Sequence, residues 1–142
     1  YLEGFKYETV AAYHPIHNEA DLRPLFNTLW QQNKNILLPF SNKKGDMSFK
    51  LLEQNDILST DDYGIPSPKT KTIFPTELID ICIVPCVACD KNNYRIGYGA
   101  GFYDRFLTKH RVRSIGICFD FQLVKKIPTE THDTKLDTII TD

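Results

Sequence analysis

Apolar positions along the chain change rhythm several times, from the near-continuous runs of buried strands to the three-and-four spacing of helices. Residues 9–13 (TVAAY) are β-branched and apolar and run into a His14–Pro15 turn, which predicts a strand. A helix follows: Asn18 is a good N-cap, Glu19 and Asp21 put negative charge in its first turn, and Leu22, Leu25, Phe26 and Leu29 recur at helical spacing. The run 36–40 (ILLPF) predicts a buried strand stopped by Pro39. Residues 41–75 are punctuated by Gly45, Gly64, Pro66, Pro68 and Pro75 and read mostly as loop, with strand-like pieces such as 49–52. Residues 79–84 (IDICIV) suit a parallel strand covered on both faces. A glycine-rich turn then leads to a helix starting near Gly101 that carries Phe102, Phe106 and Leu107 inward, and 114–119 (SIGICF) is another buried strand. Strand, helix, strand in alternation predicts a layered α/β domain.

Composition narrows the picture. The chain has 142 residues, 42% of them hydrophobic, without internal repeat or linker, which predicts one domain with its own core. Seventeen Lys and Arg against 18 Asp and Glu leave a formal charge of −1, so no global positive field exists to hold nucleic acid or an anionic membrane. No run is long and apolar enough to span a bilayer, and the first residues lack a signal-peptide core. Four cysteines, three of them crowded at Cys82, Cys86 and Cys89, do not resemble a secreted disulfide framework, so a reducing cytoplasmic setting is expected.

Chemistry concentrates in residues 90–105, DKNNYRIGYGAGFYDR, between the predicted strand and helix, where open α/β sheets bind ligands. Gly97, Gly99 and Gly101 fall at every second position, opening the backbone so that N–H groups can approach a polyanion. The helix start adds N–H donors and the positive dipole end, worth roughly 0.3–1 kcal/mol. Arg95 supplies a positive fork, and Asp104 in the first helical turn could hold a magnesium ion bridging phosphate oxygens. Together these residues read as a triphosphate cradle. Neither the GxGxxG nor the GxxxxGK[ST] pattern fits, so the cradle is not of either common kind.

RIGYGAGFYDRFL, preceded by a strand ending in VPCVACD, closely resembles the RLGYGGGYYDRFL signature of the 5-formyltetrahydrofolate cyclo-ligase family. The resemblance continues in AAYHPIHNEADLRPLF at 11–26, YGIPSP at 63–68 and HDTKLDTIITD at 132–142, in the right order over most of the chain. It implies a three-layer α/β/α fold with a mostly parallel, Rossmann-like sheet (the NagB/RpiA/CoA transferase-like arrangement). It also implies a cytoplasmic monomer that cyclises 5-formyltetrahydrofolate to 5,10-methenyltetrahydrofolate with ATP and Mg²⁺. By the same resemblance ATP is bound by Arg95, Ile96, Gly97, Tyr98, Gly99, Ala100, Gly101, Phe102 and Tyr103, with Arg95, Tyr98 and Tyr103 nearest the chemistry. Tyr98 to Phe102 also face the folate, as do His14 and Glu19, while Asp104 and Asp133 match the Mg²⁺ positions.

Departures from the signature are few. Ala100 stands where relatives have Gly or Lys, Asn93 replaces a turn glycine whose left-handed conformation Asn tolerates, and Ser67 replaces an acidic residue. The resemblance also implies an N-terminal helix with a basic Lys and Arg pair for the phosphates; a sequence beginning at Tyr1 does not include it, which is expected either of a fragment or of a form with impaired ATP affinity. A nucleotide- or folate-binding domain without turnover is therefore the alternative. An α/β enzyme acting on phosphosugars or coenzyme A esters is a third. Cys86 and Cys89 have the spacing of a redox pair but lead into a polar turn rather than opening a helix, and His14, His17, Cys86 and Cys89 have poor zinc-finger spacing. Cys82 and Trp30 are read as packing residues.

Overall fold

The β-branched run beginning at Ile81 forms the middle of a six-stranded sheet in the computed structural model, which describes residues 2–15, 19–97, 101–129 and 133–141. In chain order the strands are β1 (Thr9–Ala11), β2 (Asn35–Ser41), β3 (Met47–Leu51), β4 (Leu58–Thr60), β5 (Pro66–Pro68), β6 (Ile81–Pro85), β7 (Ala88–Asp90), β8 (Arg95–Ile96), β9 (Arg113–Cys118), β10 (Leu123–Val124) and β11 (Thr138–Thr141). Two α-helices, α1 (Arg23–Gln31) and α2 (Phe102–Lys109), join them. The main sheet runs β11-β9-β6-β1-β2-β3, and only the β2–β3 pair is antiparallel.

Strand alternation builds three layers. Val10 pairs with Ile36 and Ile81, and these three pack on one face against Phe26 and Leu29 of α1. Ala11 pairs with Leu37 and Cys82 on the opposite face, where Phe106 and Leu107 of α2 cover them. All five residues of β6 are buried, as expected for a central parallel strand. The β1 entry is fixed by Asp80, whose Oδ2 accepts the N–H groups of Glu8 and Thr9 at 2.8 and 3.0 Å.

Three sequence expectations are corrected. The first helix starts at Arg23, so Glu19 and Asp21 precede it rather than fill its first turn, and Asn18 lies outside the described residues. Pro24 sets that start, because a proline is tolerated only in the first turn; Asp21 instead accepts the Arg23 N–H at 3.0 Å and pairs with its guanidinium, which lowers its carboxyl to about 2. Second, β2 runs through Pro39 to Ser41. Position 39 faces the β1 side beyond the last paired residue, Leu37, so the missing N–H breaks no ladder bond. Residues 41–75 are mostly loop, as expected, with β3 and the small β4–β5 hairpin as their strand pieces. Third, the run VPCVACD is divided: β6 ends at Pro85, and β7 turns away into a second sheet of order β10-β7-β8.

That second sheet also sets how the cysteines pair. The chain leaving β9 returns through Gln122, whose Nε2 donates to the Cys86 and Val87 carbonyls, to pair β10 with β7. Cys118 thereby meets Cys89 in a disulfide, with Cα atoms 7.3 Å apart, so Cys89 is not the partner of Cys86. Cys82 and Cys86 are buried free thiols; burial pushes them up to about 12 and about 11. Native protein at pH 8 is therefore expected to release less than ~0.1 equivalent of thiol to an aromatic disulfide reagent within minutes, with both thiols reacting once the chain is unfolded. Fast native reaction would show that the core opens.

Candidate active site

The site begins with a turn held by a buried carboxylate. Asp90, 1% exposed, accepts the Asn92 and Tyr94 N–H groups on Oδ1 at 2.9 and 3.1 Å. Asn93 takes the left-handed conformation with φ 67°, the geometry that glycine usually supplies at such a turn. The chain is thereby delivered to Arg95 at the start of β8. Arg95 Nη1 donates to the Pro85 carbonyl at 3.2 Å, and its Cζ lies 5.3 Å from the Tyr103 ring centroid. The Nε atom is buried and has no hydrogen-bond partner among the described residues, an unusual state for a guanidinium donor. A Cβ at Gly97 would run into Arg95 Nη1, so the absence of a side chain there makes room for the guanidinium.

Helix α2 opens at Gly101, which caps it with φ 73° and where an added Cβ would stand 2.8 Å from Arg105 Nη1. Arg105 Nη2 donates to the Gly45 carbonyl at 3.1 Å and its Cζ covers the Phe102 ring at 5.1 Å, tying the helix start to the β2–β3 turn. Phe102 does not enter the core as the spacing predicted; it lines the cavity and meets Tyr63 edge-on at 5.3 Å. Asp104 is half-buried in the first turn of α2. Its carbonyl accepts the hydroxyls of Thr108 at 2.7 Å and Thr134 at 3.2 Å, and those hydroxyls are 2.8 Å apart. This hydroxyl pair docks the segment carrying Asp133 against the helix that carries Asp104.

One cavity of about 1090 Å³ gathers these parts. Arg95, Ile96, Gly97, Gly101, Phe102, Tyr103, Asp104 and Asp133 line it, and His14 and Glu19 line it from the C-terminal end of β1. Tyr98, Gly99, Ala100, His17 and His132 lie outside the described residues. His14 Nδ1 is, like Arg95 Nε, a buried nitrogen with no partner among the described residues. Met47, Asp61 and Tyr63 also line the cavity and were missed from the sequence, because the irregular middle of the chain showed no periodicity to aim them. Asp61 organises that wall: its carboxylate accepts the N–H groups of Ser41, Tyr63 and Ile65 at 3.1, 2.8 and 3.0 Å. The YGIPSP run at 63–68 was the available signal.

Two titrating groups are displaced. Burial pushes the Tyr103 phenol well above its usual value, with Cys82, Glu19 and Tyr13 adding to the effect and Arg95 opposing it. Tyr103 therefore stays protonated at neutral pH and can serve as an O–H donor, not as a base. Burial pushes Asp90 up, but the N–H donors of Ile127, Tyr94 and Asn92, with Lys135, outweigh it, and the net shift is downward. A lowered folded value means that its contribution to stability is complete above the ordinary carboxylate range and is lost as pH falls through the folded value. Asp90→Asn is accordingly expected to flatten the acid limb of a denaturant-midpoint curve below about pH 4 while leaving its slope above pH 6 unchanged. An unaltered acid limb would place the titration elsewhere.

Among the described residues, no group of three or more His, Cys, Asp and Glu gathers as a metal cage; of the four candidate zinc ligands, Cys89 is joined to Cys118 and His17 lies outside the described residues. Asp104 and Asp133 both line the cavity, and Mg²⁺ characteristically takes one or two protein carboxylates and fills its shell with phosphate oxygens and water. No helix among the described residues is long and apolar enough to cross a membrane.

Comparison with known proteins agrees with this geometry. The profile of the 5-formyltetrahydrofolate cyclo-ligase family matches residues 4–142. The 5-formyltetrahydrofolate cyclo-ligase of Escherichia coli is 32% identical over 140 residues, covering 94% of this chain and 77% of the relative. The 5,10-methenyltetrahydrofolate synthetase structure from Mycoplasma pneumoniae superposes with a TM-score of 0.73 at 28% identity, covering 94% of this chain and 73% of that one. The Aquifex aeolicus 5,10-methenyltetrahydrofolate synthetase structure gives 0.80 at 31% identity, covering 95% and 69%.

Proposed function

Because the chain belongs to the 5-formyltetrahydrofolate cyclo-ligase family, we propose that it uses ATP and Mg²⁺ to close 5-formyltetrahydrofolate to 5,10-methenyltetrahydrofolate, releasing ADP and phosphate. The observation that carries this reading is the cavity lined by Arg95, Gly97, Gly101 and the carboxylates Asp104 and Asp133 together with His14 and Glu19. Its volume of about 1090 Å³ lies at the upper end of the ~300–1,000 Å³ range of ligand pockets.

The chemistry needs activation because a formamide oxygen leaves poorly. In the proposed reaction the formyl oxygen attacks the γ-phosphorus and the bond to ADP breaks. N10 then attacks the activated formyl carbon, loses its proton, and the C–O bond breaks with departure of phosphate. Such transfer depends on positioning and charge neutralisation more than on a protein nucleophile. Arg95, which lines the cavity, would pair with phosphate oxygens through its guanidinium. Tyr103, held protonated by burial, can donate to an oxygen that gains charge. Glu19 and His14 suit the donor- and acceptor-rich edge of a reduced pterin on the facing wall. Asp104 and Asp133 would hold Mg²⁺, which supplies charge neutralisation between phosphate oxygens when bound.

The test follows absorbance of the methenyl product from 5-formyltetrahydrofolate, with ATP and Mg²⁺ each omitted in turn. Product that requires both is the expected result. ATP binding without product would favour a binding domain, and product formed without ATP would refute the phosphoryl route.

A further inference from the structure

Asp90 does more than shape its own turn. Oδ1 holds the Asn92 and Tyr94 N–H groups, immediately before Arg95, while Oδ2 reaches 37 residues along the chain to accept the Ile127 N–H at 2.9 Å. Ile127 and Pro128 form part of the cavity wall, and the chain continues from them toward Asp133. Both arms of one carboxylate are therefore committed, to two segments that approach the cavity from different parts of the sequence.

We propose that Asp90 is a positioning residue for the nucleotide half of the cavity, setting the Arg95 turn and the 127–128 wall in a fixed mutual register. It touches no substrate and acts through Arg95 and the neighbouring wall. Carboxylate chemistry is required: two oxygens that only accept must meet three N–H donors, and an amide would turn its own N–H₂ toward one of them. Burial at 1% exposure leaves no water to repair a mismatch. His14 and Glu19, which the proposed reading assigns to the folate, lie on the segment after β1, so the effect belongs to the nucleotide side.

This inference rests on the nucleotide reading of the cavity, and its test separates the two. Asp90→Asn is compared with the unmodified protein in three measurements: the Michaelis constant for MgATP, the Michaelis constant for the formylated folate, and the calorimetric affinity for MgADP. The expected result is a rise of about tenfold in the nucleotide constants with the folate constant changed less than ~3-fold. Equal changes in both constants, no change in either, or loss of kcat alone would overturn the positioning role while leaving the enzymatic reading intact. If the unmodified protein binds MgADP but forms no product, the enzymatic reading falls and calorimetry still decides the role of Asp90. If it binds no nucleotide at all, both fall. Should Asp90→Asn fail to fold, amide exchange on the unmodified protein decides. Protection at Asn92, Tyr94 and Ile127 is expected to rise together on adding MgADP and to stay unchanged with folate alone; unchanged protection with MgADP overturns the proposal.

Discussion

Replacing Asp104 by Asn is expected to lower turnover at least ~100-fold and to raise the Mg²⁺ concentration needed for half-maximal rate, with the Michaelis constant for the folate little altered. The substitution is suited to the question because it spares the scaffold. Asp104 contributes its carbonyl, not its carboxylate, to the Thr108 and Thr134 hydroxyls, so the docking of the 133–134 segment on α2 survives the change. The side chain is half-buried in the first turn of the helix, where Asn is tolerated. What disappears is one negative charge facing the cradle. Asp133→Asn is expected to behave alike, and the double variant to be scarcely worse than either single one, since two ligands of one ion fail as a unit. Wild-type turnover at an unchanged Mg²⁺ requirement, or fully additive losses, would refute a shared metal.

The parts of the site that the sequence revealed are those whose chemistry is local. Gly101 and Asn93 both take positive φ, as their residue types allow, and Asp104 falls on the first turn because it follows the capping glycine by three positions. The central strand β6 was legible because burial on both faces leaves a continuous β-prone run. Features that depend on distant partners were not legible. Pro39 reads as a stop, and only the shortness of β1 beside it explains why β2 continues. Phe102 fits an inward helical position, and only Tyr63, brought by a hairpin with no periodic signal, shows that it faces the cavity. Asp90 looks like an ordinary turn residue until Ile127, 37 residues on and just past the neighbouring strand β10, brings its N–H to it. The bridge from Cys89 to Cys118 follows from the pairing of β10 with β7, a two-residue strand that no propensity would mark.

Gly97→Ala is expected to raise the Michaelis constant for MgATP by at least about tenfold while the thermal midpoint moves by no more than ~2 °C. The reason lies in where the methyl group would go. Position 97 is half-buried and its φ lies outside the left-handed region, so alanine meets no backbone strain there. Its Cβ would, however, strike Arg95 Nη1, with Cζ only 3.3 Å away. The guanidinium must then leave its seat, losing the Pro85 carbonyl and its place over Tyr103. One charged hydrogen bond to phosphate is worth about 1.5–3 kcal/mol, which corresponds to roughly ten- to hundredfold in affinity. Gly101→Ala provides the contrast. There φ is 73°, so alanine is strained by ~1–2 kcal/mol and stability itself should fall, with Asn partly restoring it. If Gly97→Ala instead lost stability and kept its ATP affinity, Arg95 would be a structural strut, and the phosphate role assigned to it would have to pass to another residue.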